Sequence, residues 1–280
     1  MVLSDVWDSG RAQVPNFHAS PPTGAAARTY IQTEGKMTVV AEGLKIDWSI
    51  MPTYNTIMSI AAGAGLLALV LFGKELLANA KDSSSDINTD GWSIAFGVLG
   101  IILFPMGMHM SLTWPLAAGG FPFDNIVFGE TSIGFGALLL FAAFYLWRRG
   151  EQFAAANPLK KFGRVAQPIS WFVGTLGLAL FGIAAAGITY QLFAAPAEEP
   201  ISGWFADYPM VEATFMSLLF ALVGVGAVLF PFVLGKFRSG DFDAKIVKVM
   251  GWSWAVTGVI FALFGAMNFF THIGLIVNTM

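Results

Sequence analysis

The sequence predicts an all-α integral membrane protein: six transmembrane helices behind an extramembrane N-terminal arm. Three observations carry this. First, 56% of the 280 residues are hydrophobic and only 12% are charged, against about a quarter charged in a soluble domain. So few polar side chains cannot cover a water-facing surface, and lipid must cover much of it. Second, six apolar segments reach the ~20 residues needed to cross a bilayer as a helix. Third, most of the nine tryptophans fall at the ends of those segments, where interfacial belts favour indoles. The net charge of −3 excludes a broadly basic protein that would seek nucleic acid. With no cysteine there are no disulfides, thiolate metal sites or cysteine nucleophiles.

Residues 1–52 form the arm. No apolar run of signal-peptide type opens it, and Asp5, Asp8 and Arg11 interrupt its start, so the first apolar helix is expected to be retained as an anchor. Residues 1–35 are rich in Ala, Pro, Ser and Thr. The stretch "KMTVVAEGLKIDWSI" then alternates Leu44, Ile46, Trp48 and Ile50 with Lys45, Asp47 and Ser49. That pattern predicts a short hairpin turning at Glu42-Gly43, with an irregular arm as the alternative.

The six-helix domain occupies residues 53–280, with spans at Tyr54–Leu77, Gly91–Trp114, Ile126–Trp147, Pro168–Phe193, Met210–Leu234 and Gly251–Ile273. Lysines and arginines gather in the turns after the first, third and fifth spans, including Lys81, Arg148, Lys160, Lys161, Lys236 and Lys245. The positive-inside rule makes those turns cytoplasmic and leaves both termini outside. Arg11, Arg28, Lys36 and Lys45 in the arm run against this assignment.

The first and last helical hairpins share residues in register. Thr56, Met58 and Ser59 match Thr214, Met216 and Ser217, and Val70-Leu71-Phe72 matches Val228-Leu229-Phe230, 158 positions on. After a short shift, Gly91-Trp92-Ser93 matches Gly251-Trp252-Ser253. These matches predict a duplicated hairpin.

A polar set lies toward the outer side. His109, four residues after Pro105 and between two methionines, stands near the end of the second span. Asp124, Asn125 and Glu130 open the third, Asn55 the first and Glu212 the fifth, while Asn268 and His272 share one face of the sixth. Ionisable groups in a bilayer cost about 2.5–3.5 kcal/mol at mid-helix on insertion scales. His109 and Glu130 are therefore expected to turn inward and pair with each other or with neighbouring polar groups.

The stretches "YNTIM" (54–58), "HMSLTWPL" (109–116) and "FDNIVFGE" (123–130) resemble the motifs of an uncharacterised family of bacterial and archaeal multi-pass membrane proteins, a domain of unknown function. The resemblance implies a plasma-membrane location and draws attention to Asn55, His109, Asp124, Asn125 and Glu130. It implies no activity.

Three functions stay open. The first is a non-catalytic accessory, assembly or scaffold subunit of a larger membrane complex of respiratory or oxygenase type, in contact with lipid and with other membrane subunits. The second is a redox subunit holding copper or haem. Met106 and His109 offer soft ligands on one face, Glu130 and Glu212 harder ones, and His109 with His272 an axial pair for haem. The third is transport of a small solute or protons through Glu130, Glu212 and His109. Walker, dinucleotide, GxSxG and HExxH signatures are missing from the sequence, which argues against nucleotide or hydrolase chemistry.

Overall fold

A computed structural model describes residues 28–33, 36–41, 46–83, 85–114, 116–117, 120–155 and 157–280. Among the described residues six helices are long and apolar enough to cross a membrane: α1 (Asn55–Lys81), α2 (Thr89–Leu112), α3 (Thr131–Ala154, entered through a π-helical turn at Asn125–Glu130), α5 (Gln167–Tyr190), α6 (Pro209–Ser239) and α7 (Lys245–Thr279). The chain is a multi-pass membrane protein. A short helix, α4 (Pro158–Val165), lies between α3 and α5. Proline at its first position pre-sets the helical φ, and it buries Leu159 and Gly163 while Lys160 and Arg164 stay exposed.

Strands β1 (Arg28–Thr33) and β2 (Lys36–Ala41) pair antiparallel with Thr33 opposite Lys36. The turn expected at Glu42-Gly43 lies outside the described residues, as do residues 1–27. Trp48 and Ser49 fall in a turn rather than a strand. Asp47 sets it, its Oδ1 accepting from the Ser49 amide at 3.0 Å. Such Asx turns compete with extended pairing.

The helices lie in the neighbour order α3, α2, α1, α7, α6, α5. Glycines let backbones approach across these seams, as is usual where lipid supplies no hydrophobic drive between helices. A Cβ on Gly63 of α1 would stand 2.6 Å from the Gly258 carbonyl of α7, and one on Gly107 of α2 would stand 2.7 Å from the Gly129 carbonyl. Ser59 adds a hydrogen bond from α1 to the Phe261 carbonyl of α7 at 3.0 Å. α3 and α5 make few direct contacts.

The matched hairpins behave differently in their two halves. Met58 and Met216 are both buried, and with Phe72 and Phe230 they line one central space. The matched tryptophans diverge. Trp92 donates to Glu75 Oε2 at 2.5 Å, whereas Trp252 is exposed. Trp254 instead reaches inward, donating to the Val223 carbonyl at 3.2 Å.

Glu75 also accepts from the Asn88 amide at 2.6 Å, so one carboxylate ties α1 to the start of α2. Glu75→Ala is expected to cost about 1.5–3 kcal/mol, the range for a hydrogen bond to a charged group. Thermal unfolding in mild detergent checks this, with Glu75→Gln retaining part of the loss.

Candidate functional site

A cavity of about 310 Å³ is walled by α1, α3, α4, α5, α6 and α7, with Leu66, Leu69, Phe135, Val173, Phe220 and Trp254 among its lining residues. Gly73 of α1 also lines it, and a Cβ there would meet nothing within 4 Å.

Toward the end that carries residues 46–53 and the loops 113–124 and 191–208, a smaller space of about 140 Å³ abuts the first. Its wall sets Asn55, Asp124, Glu199, Glu212, Asn268 and His272 among apolar side chains. Asn55, Phe128, Met216, Phe264 and Asn268 line both spaces, so the two asparagines mark the boundary.

Local structure places each polar group. Asp124 ends the loop before the π-helical turn and is buried. That burial pushes its carboxyl up to about 8, because the charged form has lost its water. Glu199 sits in the loop between α5 and α6, where burial also pushes its carboxyl up. Two residues on, Ile201 adopts φ 67°, ψ −64°, and the Ser202 amide reaches back to the Pro200 carbonyl at 2.8 Å. This is the rare γ-turn geometry, which is strained for a β-branched residue. It turns Glu199 and Ser202 into the pocket wall. His272 Nε2 stands 3.8 Å from Glu199 Oε1. Glu212 Oε2 accepts from the Ala195 amide at 2.5 Å. The Oδ1 atoms of Asn55, Asn125 and Asn268 are buried without a hydrogen-bond partner among the described residues.

The rim is tied down as well. Trp48 donates to Thr279 Oγ1 at 3.1 Å, Asn278 donates to the Glu198 carbonyl at 2.6 Å, and the Ala117 amide donates to the Ile50 carbonyl at 2.7 Å.

Five of the residues singled out in the sequence therefore meet around one pocket: Asn55, Asp124, Glu212, Asn268 and His272. Asn125 is buried beside it but does not line it. His109 and Glu130 do not turn inward. Both are exposed, and His109 Nδ1 takes the Tyr54 hydroxyl as its partner at 2.7 Å. Met106 packs against the core. His109 and His272 are engaged separately, and among the described residues no three His, Asp or Glu side chains converge as metal ligands. Glu199 was the residue missed. Its one signal was an acidic pair, Glu198-Glu199, in an otherwise apolar loop. Because Tyr54 and His109 meet at the surface, His109→Ala is expected to shift thermal stability by only about 1 kcal/mol, and melting of the variant in detergent tests that.

A family model of proteins of unknown function, DUF981, matches residues 51–274. The chain belongs to this family. The match takes in the first five membrane helices whole, α7 as far as Gly274, and every residue of the pocket except Trp48, Leu275 and Ile276. No curated protein and no solved structure matches the chain.

Proposed function

We propose that this protein is a non-catalytic binding protein for an amphiphilic small molecule, holding an apolar tail in the central cavity and a polar head in the adjoining pocket. The observation that carries the reading is the pairing of the two spaces across Asn55 and Asn268. The larger space, about 310 Å³ and lined almost wholly by apolar side chains, suits an alkyl chain better than water, which needs polar partners. The sparse contact between α3 and α5 offers a route in from the lipid.

Quenching of Trp254, which lines the cavity, tests this in nanodiscs of zwitterionic lipid. A bromine-tipped undecanol is expected to quench saturably, and the signal is expected to fall in Trp254→Phe. Gly73→Leu and Ala142→Phe fill the tail space and are expected to weaken binding. Quenching that grows linearly with added alcohol, equally in the filled variants, means bulk lipid access only and sinks the proposal.

A second reading has its own support: membership of a larger membrane assembly. Glu130 is exposed within the third membrane-crossing segment, where an uncovered carboxylate is costly. A polar group on a neighbouring membrane subunit, set against the α2–α3 face, would offset that cost. Glu130→Leu is then expected to release a subunit in mild-detergent native electrophoresis; unchanged migration of a complex-free species removes the reading. The orientation with both termini outside a bacterial or archaeal plasma membrane rests on the basic turns. It predicts that Ser83→Cys is shielded from an impermeant thiol reagent in intact cells and Ala197→Cys is labelled.

A further inference from the structure

We infer that the head group is a cationic amine: the ligand is an amphiphile with a single ammonium group and no phosphate, seated among Asp124, Glu199 and Glu212 and the amide oxygens of Asn55 and Asn268. The inference deepens, and rests on, the amphiphile reading above.

The pocket's charge is one-sided. Three carboxylates and one histidine line it, with no lysine or arginine among its described lining residues. A phosphate or carboxylate head would face three carboxyl groups and find no fixed cation among the described lining residues. The unpartnered groups tell the same story. Asn268 is only 8% exposed, its Oδ1 has no hydrogen-bond partner, and it lines both spaces. The Oδ1 of Asn55 is orphaned in the same way. Both lack a donor, and an ammonium supplies three N–H donors and no acceptor. A hydroxyl supplies one. Charge-assisted bonds are also roughly twice as strong as neutral ones.

Proton balance gives a second signature. In the empty pocket burial holds the Asp124 carboxyl up at about 8, so it carries its proton at neutral pH. An ammonium beside it favours the carboxylate. Binding therefore breaks the Asp124 O–H bond and releases one proton to water, leaving an ammonium–carboxylate pair. The other titratable groups facing the pocket are Glu199, Glu212 and His272.

The test uses the full chain in zwitterionic nanodiscs and three bromine-tipped undecyl probes: amine, alcohol and carboxylate. Near neutral pH the amine is expected to quench Trp254 at about ten-fold lower concentration than the alcohol, one favourable interaction of about 1.4 kcal/mol, with the carboxylate weakest. Asp124→Asn with Glu199→Gln is expected to bring the amine down to the alcohol. The wild-type protein supplies an arm independent of those variants: the amine's advantage over the alcohol is expected to grow from about pH 6 to about pH 8, with a proton released on binding. Equal affinity of amine and alcohol, or tightest binding by the carboxylate, overturns the ammonium head while leaving the amphiphile reading standing. Unsaturable quenching by all three probes overturns both.

Discussion

Gly63→Leu is expected to leave no stably folded protein, with monodisperse material in detergent lost and unfolding lowered by more than about 3 kcal/mol. The reason is local and steric. A Cβ at position 63 would stand 2.6 Å from the Gly258 carbonyl and press on the Ala262 backbone amide. Those are backbone atoms of α7 and cannot swing aside as a side chain would. The helices must separate, and the separation propagates. A Cβ on Gly258 would in turn stand 3.0 Å from the Gly63 carbonyl, and one on Gly265 2.8 Å from the Ile60 amide. The Ser59 bond to Phe261 lies on the same seam. Because α1 and α7 both line the central cavity, moving them apart also opens the site. Gly182→Ala is the matched control. A Cβ there meets nothing within 4 Å, and it replaces a poor helix former, so stability is expected to hold or rise by up to about 1 kcal/mol. Equal melting of both variants would show that the seam is looser than its geometry implies.

The spans were readable because hydropathy is summed over a whole segment and tolerates error at the ends. α7 runs from Lys245 to Thr279, beyond the span expected at Gly251–Ile273, because lysines near an interface do not interrupt a helix. The polar pocket was half readable. Asn55, Asp124, Glu212, Asn268 and His272 stood out as polar residues in apolar surroundings, and depth alone brought them to one end. Rotation about the helix axis was not readable. The π-helical turn at Asn125–Glu130 shifts the phase of the residues it contains, so Asn125 is buried while Glu130 faces outward. Glu199 depended on a loop fold set by the Ile201 turn, and no periodicity announces such a turn. The cavity was hidden for a different reason: a residue lining a void and one packed against a neighbour have the same hydropathy.

The protein is expected to lose stability as pH rises from about 4 to about 8, and Asp124→Asn is expected to flatten that slope. Burial raises the Asp124 carboxyl to about 8 in the folded chain, while the unfolded chain holds it near the ordinary aspartate value of about 3.9. Between those values the folded state binds the extra proton, so stability falls with rising pH. It is full below the unfolded value and reaches its floor above the folded one. The shift sets an upper bound of roughly 6 kcal/mol on the total change, and water entering the pocket reduces it. Glu199, raised by burial as well, adds a smaller loss of the same sign, so the Asn variant keeps a shallow slope. The measurement is melting temperature across pH in mild detergent for wild type, Asp124→Asn and the double variant with Glu199→Gln. A wild-type profile that is flat or rising over the same window would mean that Asp124 ionises readily in the folded protein, through water or a bound cation already beside it. Added dodecylamine separates those two cases. Where the pocket is empty, the amine stabilises the wild-type protein most at the alkaline end, where Asp124 has already lost its proton and the full charge pair forms at no protonic cost. Where a cation already fills it, added amine changes little at any pH.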